Sequence, residues 1–522
     1  MSEQVPFFSV LTPVFDPPTA ALSAAIESVR GQTFRDWELI LVDDASTSDA
    51  VRVLLARAAA GDQRITVIER AANGGIVAAS NDAVQAARGQ FLALLDHDDL
   101  LTIDALDRVK TVVSEFDDVD YIYSDEDKVD ADGLHYDEFR KPDWSPERLR
   151  GQMYTSHLSV IRRSLVKQVG GFREGFDGSQ DHDLVLRVTE LARRVVHIPR
   201  VLYHWRAVPG SAASDTFAKP YAQEAGRRAV QDQLDRLGIH GSVEAMIDHP
   251  GSYRVSRSLP PDRRVSIVIP TMGKSAMMWG EDRCFVVEAV RSALAHTQHK
   301  DLEIVVIYDS PTPHEVLDQL REIAGDKLVL VPYKGEFNFS KKMNLGVIAS
   351  TGDWIVALND DVQVISERWL EELVAPLEEP DVGMTGAKLF FGDGTIQHAG
   401  HAYARGEYHH PFMGTPGEDE GPSRSLLISR EVSGVTAACA ALRRGVFDEV
   451  GGFSEALPLN FNDVDLSNKV RFLGLRVVWV ANCELYHFES QTREPAVAPW
   501  EAQAVRVRWG APSEHDDYLP EF

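Results

Sequence analysis

The sequence predicts an α/β protein in which two doubly wound units, each built on a mainly parallel sheet, follow one another along the chain. With 522 residues the chain is too long for one ordinary domain. Two short apolar runs, residues 7–13 and 265–270, end at or next to a proline and are typical of fully buried strands in a parallel sheet. Acidic clusters also follow later strands at matched spacing in the two halves. These observations indicate a duplicated unit.

Strands and helices alternate in the same order in each half. In the first half, the apolar pattern predicts a helix at 19–31 and a second strand at 37–42. In the second half it predicts a helix at 284–296 and a strand at 302–307. Such alternation favours a parallel sheet with right-handed crossover connections.

The clearest repeat is a glycine, a hydrophobic strand and a carboxylate cluster, found near residue 95 and again near residue 358. A buried strand that runs into acidic residues is a common way to present a metal site at the carboxyl edge of a sheet. The spacings agree: Gly89 to Asp98 and Gly352 to Asp361 are each nine residues, and Asn81 to Asp98 and Asn344 to Asp361 are each seventeen.

The downstream parts of the two halves repeat as well. A Val-Gly-Gly-Phe segment precedes an acidic helix start in each half, at 169–172 and at 450–453. A helix, a strand and a histidine then follow each segment. Asp181 lies twenty-three residues before His204, and the corresponding pair, Asp463 and His487, is twenty-four residues apart.

The sequence predicts four segments. Residues 1–240 form an N-terminal domain, 241–263 a linker, 264–495 a C-terminal domain and 496–522 a polar tail. The linker is placed where glycine, proline and serine interrupt the helical pattern. The tail shows little sign of a core of its own.

Charge and composition limit the partners and the compartment. The formal net charge of −27 argues against nucleic acid or an anionic membrane as a partner held by bulk electrostatics. The three cysteines lack metal-ligand spacing and fit a reducing cytosol. No apolar stretch reaches the length of a membrane span, and residues 1–6 show no signal peptide. We therefore expect a cytoplasmic protein.

The first acidic cluster consists of Asp96, Asp98 and Asp99. Carboxylates crowded at a strand end repel one another unless a cation lies among them, and Mg²⁺ or Mn²⁺ prefers such oxygen ligands. A solvated acidic turn that caps the next helix explains the same residues without a metal. The residues alone leave both interpretations open.

Two histidines and two further aspartates occupy equivalent places in the halves. The repeated position of His204 and His487, downstream of an acidic helix start, favours metal coordination over simple packing. Asp181 and Asp463 lie at predicted helix N-termini, where a carboxylate either caps the helix or accepts a proton from an incoming hydroxyl group.

These motifs follow one another in a fixed order. In the first half they are Thr12-Pro13-Val14, Val42-Asp43-Asp44, Asn73-Gly74-Gly75, Asp96-His97-Asp98-Asp99, Gln180-Asp181-His182-Asp183 and Tyr203-His204-Trp205-Arg206. In the second half they are Phe337-Asn338-Phe339-Ser340, Leu358-Asn359-Asp360-Asp361, Gln397-His398-Ala399-Gly400, Phe461-Asn462-Asp463-Val464-Asp465 and Glu484-Leu485-Tyr486-His487. The ordered set resembles glycosyltransferase family 2, of GT-A fold, and the tandem arrangement is similar to that of bacterial O-antigen, rhamnan and other cell-surface polysaccharide glycosyltransferases.

The resemblance implies two tandem GT-A domains, which are Rossmann-like nucleotide-diphospho-sugar transferase folds. It implies inverting transfer of a sugar from a nucleotide-sugar, such as a UDP- or dTDP-sugar, to a glycan or lipid-linked glycan acceptor. One Mn²⁺ or Mg²⁺ per domain is implied as cofactor. A lipid-linked acceptor would bring the protein to the inner face of the membrane as a peripheral protein.

The resemblance also assigns roles to side chains in each half. The implied general bases are Asp181 and Asp463. The implied metal ligands are Asp98, His204, Asp361 and His487. The implied nucleotide-sugar-binding residues are Pro13, Asp43, Asp44, Asn73, Asp96, Pro270, Asp309, Asn338, Asn359 and Asp360.

The second half departs from the pattern at two positions. Tyr308 stands where the first half has Asp43, and a tyrosine cannot offer a carboxylate to the imide N–H of a base. Asn359 replaces Asp96 and lowers the local negative charge by one. We therefore expect two active sites with different donors, and the alternative is one catalytic domain joined to a domain that only binds acceptor glycan.

Two other interpretations are weaker. A metal-dependent nucleotidyltransferase would need a glycine-rich, basic phosphate loop after the first strand, and none follows Pro13 or Pro270. The histidines of the segment from Gln397 to His410 fit no standard zinc spacing. We expect that segment to be a loop that shapes the donor or acceptor pocket.

Overall fold

The computed structural model describes residues 5–130, 132–206, 220–488 and 498–520. Contacts within the chain divide it into two compact units. Unit 1 comprises the described residues of Met1–Trp144, Leu149–Gly238 and Val243–Val255, and unit 2 those of Ser145–Arg148, Ile239–Ser242 and Ser256–Phe522. Among the described residues, no helix combines the length and the apolar composition that crossing a membrane requires.

The first half of the chain alternates between strands and helices. Its strands are β1 (Phe8–Val14), β2 (Trp37–Asp43), β3 (Ile65–Glu69), β4 (Phe91–Leu94), β5 (Leu100–Leu101), β6 (Tyr121–Val129), β7 (His135–Phe139), β8 (Ser159–Arg162) and β9 (Val195–Arg206). Its helices are α1 (Thr19–Arg30), α2 (Asp49–Gly61), α3 (Gly75–Ala86), α4 (Ala105–Glu115), α5 (Pro146–Gly151), α6 (Arg163–Gln168), α7 (Gln180–Thr189) and α8 (Pro220–Leu237).

The second half begins after a two-stranded sheet of β10 (Gly241–Ala245) and β11 (Tyr253–Arg257). Its strands are β12 (Val265–Thr271), β13 (Ser275–Met278), β14 (Glu281–Cys284), β15 (Leu302–Asp309), β16 (Leu328–Tyr333), β17 (Trp354–Leu358), β18 (Val362–Val364), β19 (Val382–Phe390), β20 (Ile396–His398), β21 (Ala402–Ala404), β22 (Glu407–His409), β23 (Arg430–Glu431), β24 (Cys439–Arg443) and β25 (Arg476–His487). Its helices are α9 (Phe285–Ala295), α10 (His314–Ala324), α11 (Phe339–Ala349), α12 (Trp369–Val374), α13 (Arg444–Glu449), α14 (Asn462–Phe472) and α15 (Pro499–Trp509).

The two main sheets have the same topology. In unit 1 the strand order is β3-β2-β1-β4-β8-β6-β9-β5, and in unit 2 it is β16-β15-β12-β17-β24-β19-β25-β18. In both sheets the first four strands are parallel, and the strand that follows them is antiparallel. This agreement, strand for strand, confirms the predicted α/β fold and the internal repeat.

This order places the functional motifs at one edge of each sheet. The first strand of each unit lies between the second and fourth, so the chain reverses its direction of travel across the sheet there. Ligands of open α/β sheets bind in the crevice at such a point, beyond the carboxyl ends of the strands. Those ends are Val14, Asp43 and Leu94 in unit 1, and Thr271, Asp309 and Leu358 in unit 2.

A buried hydrogen-bond network explains why a glycine precedes β4 and β17. In unit 1, the Ser9 hydroxyl donates to Glu38 at 2.6 Å and accepts from the Gly89 amide at 2.8 Å. In unit 2, Ser266 donates to Glu303 at 2.7 Å and accepts from the Gly352 amide at 2.8 Å. Each serine thereby ties the first strand of its unit, β1 or β12, to the second strand and to the glycine before the fourth strand.

Asn81 and Asn344 explain why an asparagine lies seventeen residues before Asp98 and again before Asp361. The Asn81 side chain donates to the carbonyl of Phe172 and accepts from its amide, both at 2.9 Å. Asn344 makes the same pair of bonds to Phe453, both at 3.0 Å. Each asparagine thus clamps the Gly-Gly-Phe segment that leads toward the acidic helix start.

The described part of the segment predicted as a polar tail, residues 498–520, packs within unit 2. Glu501 on α15 is fully buried and accepts from the backbone amides of Leu459 and Asn460, both at 3.0 Å. Trp509 and Arg508 donate to the buried carboxylate of Asp465 at 2.9 and 2.8 Å. Helix α15 therefore supports the loop that precedes α14.

A Gly352→Ala substitution should destabilise the protein. A Cβ at this position would lie 2.5 Å from Ser266 Oγ and 2.8 Å from the Arg264 carbonyl oxygen. Overpacking of this kind costs about 1–3 kcal/mol, which thermal and urea denaturation would detect. The control is Gly445→Ala, because a Cβ there meets no atom within 4 Å. An equal effect of the two substitutions would contradict the role of the network.

Candidate functional site

The loop after β3 is held by an aspartate of the motif that follows β2. The Asp44 carboxylate is ion-paired with Arg70 and accepts from the amides of Gly74 at 2.9 Å and Gly75 at 2.8 Å. The exposed Asn73 accepts from the Gly75 amide at 3.2 Å. Asp44 therefore fixes the conformation of the loop that carries Asn73, which lies at the same sheet edge.

The other first-half positions at this edge are also placed by local bonds. Asp43 is buried, and its Oδ1 accepts from the Ser46 amide at 3.0 Å. The Pro13 carbonyl lies 3.1 Å from His97 Nδ1, which joins the end of β1 to the acidic cluster. The structure thus brings Pro13, Asp43 and the cluster to the same end of the sheet.

The acidic cluster of unit 1 is partly buried. Asp99 accepts from the Tyr203 hydroxyl at 2.6 Å and from the Arg206 amide at 2.7 Å. Burial and the charge of Asp96 raise the pKa of Asp99 to about 7. Burial also raises the pKa of Asp98, which the nearby His97 imidazole offsets only in part. A cation among these carboxylates would relieve the part of the shift that comes from their mutual repulsion.

A histidine that sequence reasoning missed lies beside this cluster. His157 stacks on the Tyr203 ring at a centroid distance of 4.6 Å, and its Nε2 lies 4.0 Å from Asp96. The other ring nitrogen faces Glu126 at 3.4 Å, and Glu126 binds the buried Lys141 at 2.8 Å. Although burial opposes protonation, Glu126 raises the pKa of His157 to about 9. The raised pKa favours the protonated imidazole beside Asp96 at neutral pH.

Asp181 lies at the N-terminus of α7, as predicted. Burial and the charge of Asp96 raise its pKa to about 6. The Gln180 amide donates to its Oδ2 at 3.0 Å. The companion Asp183 is fully buried and paired with Arg187 at 2.6 Å, so it anchors the helix. A carboxyl group whose pKa is near 6 is suited to accepting a proton at neutral pH.

His204 contacts a different carboxylate from the one expected. Its Nδ1 lies 2.5 Å from Asp127 Oδ1, and the second oxygen of Asp127 lies 3.1 Å from His135 Nδ1. The His204 and His135 rings meet edge to face at 4.3 Å. These contacts occupy one ring nitrogen of His204. The pairing of His204 with Asp98 stays a prediction.

Unit 2 contains a cavity of about 690 Å³ at the carboxyl edge of its sheet. Its wall includes the ends of β12 and β17, the start of α14, and the histidine-containing segment after β19. The predicted residues that line it are Pro270, Asn359, Asp360, Asp361, Asp463 and His487. Side chains assigned to metal, base and nucleotide roles thus face one space.

The predicted metal pair of unit 2 is in direct contact. His487 Nε2 lies 3.1 Å from Asp361 Oδ1, and both side chains are largely buried. The same nitrogen lies 3.2 Å from the Asn359 amide nitrogen. On the other side of the ring, Nδ1 lies 2.6 Å from Gln397 Oε1. Every polar atom of this imidazole therefore has a defined neighbour.

Two aspartates of unit 2 are held by neighbouring side chains. The Thr271 hydroxyl donates to Asp360 at 2.6 Å, and burial and the charge of Asp361 raise the pKa of Asp360 to about 7. The buried Lys342 ammonium donates to Asp309 and to the Thr271 carbonyl, both at 2.9 Å. Asp309 thus resembles Asp44 in being paired with a basic side chain.

Asp463 and Asn338 stand near helix N-termini. Asp463 accepts from its neighbour's amide at 2.8 Å and from the Ala437 amide at 3.4 Å, and it lines the cavity. Asn338 caps α11 by accepting from the Lys341 amide at 2.9 Å and donates to the Glu455 carbonyl at 2.9 Å. A structural role is thereby shown for Asn338, and its role in nucleotide binding stays a prediction.

Three histidines form part of the cavity wall. His398, His401 and His410 each offer a ring nitrogen within 4.8 Å of the others. The Thr436 amide donates to His398 Nε2 at 3.2 Å, so the proton of a neutral His398 lies on Nδ1, which faces His410 Nδ1 at 3.2 Å. Since that tautomer hydrogen-bonds to His410, the arrangement favours a wall of hydrogen-bonded rings over a metal centre.

Comparison with known proteins agrees with this geometry. The family model described as "Glycosyl transferase family 2" matches residues 9–170 and again residues 266–451. The chain belongs to glycosyl transferase family 2. Both matches fall on the repeated sheets, so each unit is a domain of this family of glycosyltransferases with a GT-A fold.

Similar sequences include bacterial proteins that are longer than this chain. An uncharacterized protein, y4gI of Sinorhizobium fredii, is 43% identical over 94% of this chain and 54% of its own length. The O-antigen biosynthesis protein RfbC of Myxococcus xanthus is 35% identical over 99% of this chain and 40% of its own length. A chondroitin synthase of Escherichia coli is 28% identical over 45% of this chain and 34% of its own length. The chain therefore spans about half the length, or less, of these curated relatives.

The residues of both glycosyl transferase family 2 domains fit a divalent cation. In unit 2, one carboxylate oxygen and one imidazole nitrogen face each other at 3.1 Å on the cavity wall. Adjacent ligands of a metal with bonds of about 2.1 Å are separated by roughly 3.0–3.4 Å. In unit 1, the carboxylates of Asp96 and Asp99 bring oxygen atoms within 4.8 Å of each other.

Replacing Asp181 by asparagine should change the pH dependence of stability. Because the folded-state pKa of Asp181 is raised to about 6 from 3.8, the folded protein holds this proton more tightly than the unfolded chain does. Its stabilising contribution is therefore full below about pH 4 and is lost as the pH rises through about 6. At about pH 7.5 and without added metal, Asp181→Asn should be the more stable protein by about 1–3 kcal/mol.

At about pH 4 the difference should largely vanish, because both side chains are then neutral. Urea unfolding at the two pH values measures it. Asp107→Asn, which alters an exposed carboxylate on α4, is the matched control. A difference of equal size at both pH values would show that the Asp181 pKa is not raised.

Proposed function

We propose that the chain is an inverting, metal-dependent glycosyltransferase with two active sites, which transfers sugars from nucleotide-sugar donors to a growing surface glycan. One observation carries the proposal. In unit 2, a carboxylate–histidine pair, a helix-start aspartate and the ends of two parallel strands line one cavity of about 690 Å³. That volume is in the range of small-molecule pockets.

In unit 2 the donor would lie along the carboxyl edge of the sheet. Pro270 and Thr271 end β12 and face the cavity together with Asn359 and Asp360. The aromatic side chains of Phe337 and Phe339 also line it and offer apolar surface to a base. Tyr308 stands at the position equivalent to Asp43, so the side chain that would contact the base differs between the units. This difference supports a different donor for each site.

Asp361 and His487 would hold the cation of unit 2, and Asp98 with His204 that of unit 1. When bound, the cation acts as a Lewis acid that stabilises the diphosphate leaving group as the bond to the sugar breaks. The chain's own contribution is to hold Asp361, just before β18, and His487, at the end of β25, with Oδ1 and Nε2 3.1 Å apart. In unit 1, the imidazole of His157, whose pKa is raised to about 9, lies beside Asp96.

Asp463 and Asp181 would be the general bases. Each begins the helix that follows the clamped Gly-Gly-Phe segment, so its position is fixed relative to the central strand. Each carboxylate would take the proton of the acceptor hydroxyl as that oxygen attacks the sugar carbon from the side opposite the diphosphate. Attack from that side inverts the configuration of the sugar carbon.

The acceptor class is inferred from the relatives. RfbC is described as an O-antigen biosynthesis protein, and another relative is a chondroitin synthase, so the similar proteins act on polysaccharides. A glycan acceptor, free or lipid-linked, fits both. A lipid-linked acceptor would require peripheral contact with the membrane.

Substituting each base should remove one of two donor activities. Release of UDP and dTDP from a panel of their sugars is measured with Mn²⁺ in the full chain, in Asp181→Asn and in Asp463→Asn. Each substitution should slow release from its own donor by about 100- to 10,000-fold and leave the other donor unaffected. Asp318→Asn on α10, an exposed carboxylate outside the cavity, is the control.

Other outcomes would revise the proposal in distinct ways. Loss of all release through Asp181→Asn alone would favour one catalytic domain joined to a glycan-binding domain. Released sugar with the anomeric configuration of the donor, observed by NMR at early times, would contradict inversion. Release of pyrophosphate from nucleoside triphosphates, with no release of UDP or dTDP from nucleotide-sugars, would favour a nucleotidyltransferase.

A further inference from the structure

Gln397 makes two hydrogen bonds to the same residue, His487. Its side-chain nitrogen donates to the His487 carbonyl oxygen at 3.2 Å, and its side-chain oxygen lies 2.6 Å from His487 Nδ1. Gln397 lies on β20 and is only 4% exposed. The two bonds together fix both the backbone and the ring of His487.

These bonds determine which ring nitrogen of His487 carries the proton. The Gln397 nitrogen must point to the carbonyl, because a carbonyl oxygen only accepts, so the oxygen of the same amide faces Nδ1. That oxygen is an acceptor, so Nδ1 carries the hydrogen. In the neutral ring the lone pair then lies on Nε2, which faces Asp361 at 3.1 Å and accepts from the Asn359 amide at 3.2 Å.

Unit 1 uses a carboxylate for the equivalent contact. His204 Nδ1 lies 2.5 Å from Asp127, which is its cross-strand neighbour on β6. A carboxylate and an amide oxygen both accept from Nδ1–H, so the second nitrogen is the one left to bind a metal in each unit. The carboxylate makes the imidazole the stronger electron donor, and the neutral amide makes it the weaker one.

We propose that Gln397 is a positioning residue of the second site, which fixes the tautomer and orientation of His487 so that Nε2 and Asp361 act as a ligand pair for a divalent cation. This inference rests on the proposed metal dependence of unit 2. It assigns a role to the first residue of the Gln397-His398-Ala399-Gly400 motif, which lies far from Asp361 and His487 in sequence. It also predicts a weaker cation site in unit 2 than in unit 1.

The test is Mn²⁺ binding to the full chain, without nucleotide, by calorimetry and electron paramagnetic resonance. The share of binding lost in Asp361→Ala is assigned to unit 2. Gln397→Leu removes both bonds at similar volume and should weaken that share by about ten- to a hundredfold. It should also reduce the part of the nitrogen hyperfine coupling of bound Mn²⁺ that Asp361→Ala removes. Gln397→Glu keeps the acceptor and should bind Mn²⁺ at least as tightly as the parent chain.

Gln363→Leu is the matched control, because Gln363 lies on β18 and bonds to Trp279 rather than to His487. Parental affinity and nitrogen coupling in Gln397→Leu, with loss in Asp361→Ala, would overturn the role of Gln397 alone. Binding by Gln397→Glu as weak as that of Gln397→Leu would also overturn it. If Asp361→Ala loses no Mn²⁺ binding, the metal dependence of unit 2 fails and the inference fails with it.

Discussion

Repulsion among carboxylates buried at the end of a central strand is the constraint on which both sites depend. Burial and the charge of Asp96 raise the pKa of Asp99 to about 7, and burial and the charge of Asp361 do the same for Asp360. Such an arrangement costs folding free energy unless positive charge compensates it. Strongly perturbed pKa values at the ends of equivalent strands in two matching sheets are typical of functional sites.

The two units compensate this charge differently. In unit 1, His157 lies next to Asp96, and Glu126, which is paired with the buried Lys141, raises the pKa of His157 to about 9. The pairing of β4 with β8 and of β17 with β24 makes Arg162 equivalent to Arg443. Five residues before these arginines, unit 1 has His157 and unit 2 has Ala438. Unit 2 also has Asn359 in place of Asp96. The positive charge in unit 2 comes from the buried Lys342, which is paired with Asp309 and offsets part of the rise in the pKa of Asp360.

The sequence was sufficient to predict what is local or repeated. Strands, their order along the chain, and the carboxylates at their ends follow from short apolar runs and matched spacing, because these features lie within a few residues of each other. Contacts between distant segments were out of reach: His157, Gln397 and the pairing of Asp44 with Arg70 depend on which loops the sheet brings together. The neighbour of His204 was missed for this reason, since Asp127 reaches it only through the pairing of β6 with β9.

The central claim is that each unit holds a working donor site. Calorimetric titration of UDP and dTDP with Mn²⁺ into the wild-type chain, Asp98→Ala and Asp361→Ala tests it most directly. The account predicts two metal-dependent binding events, each lost with its own substitution. One event, lost only with Asp98→Ala, would contradict a UDP or dTDP site in unit 2. Absence of metal-dependent binding by either nucleotide would contradict the account for both units.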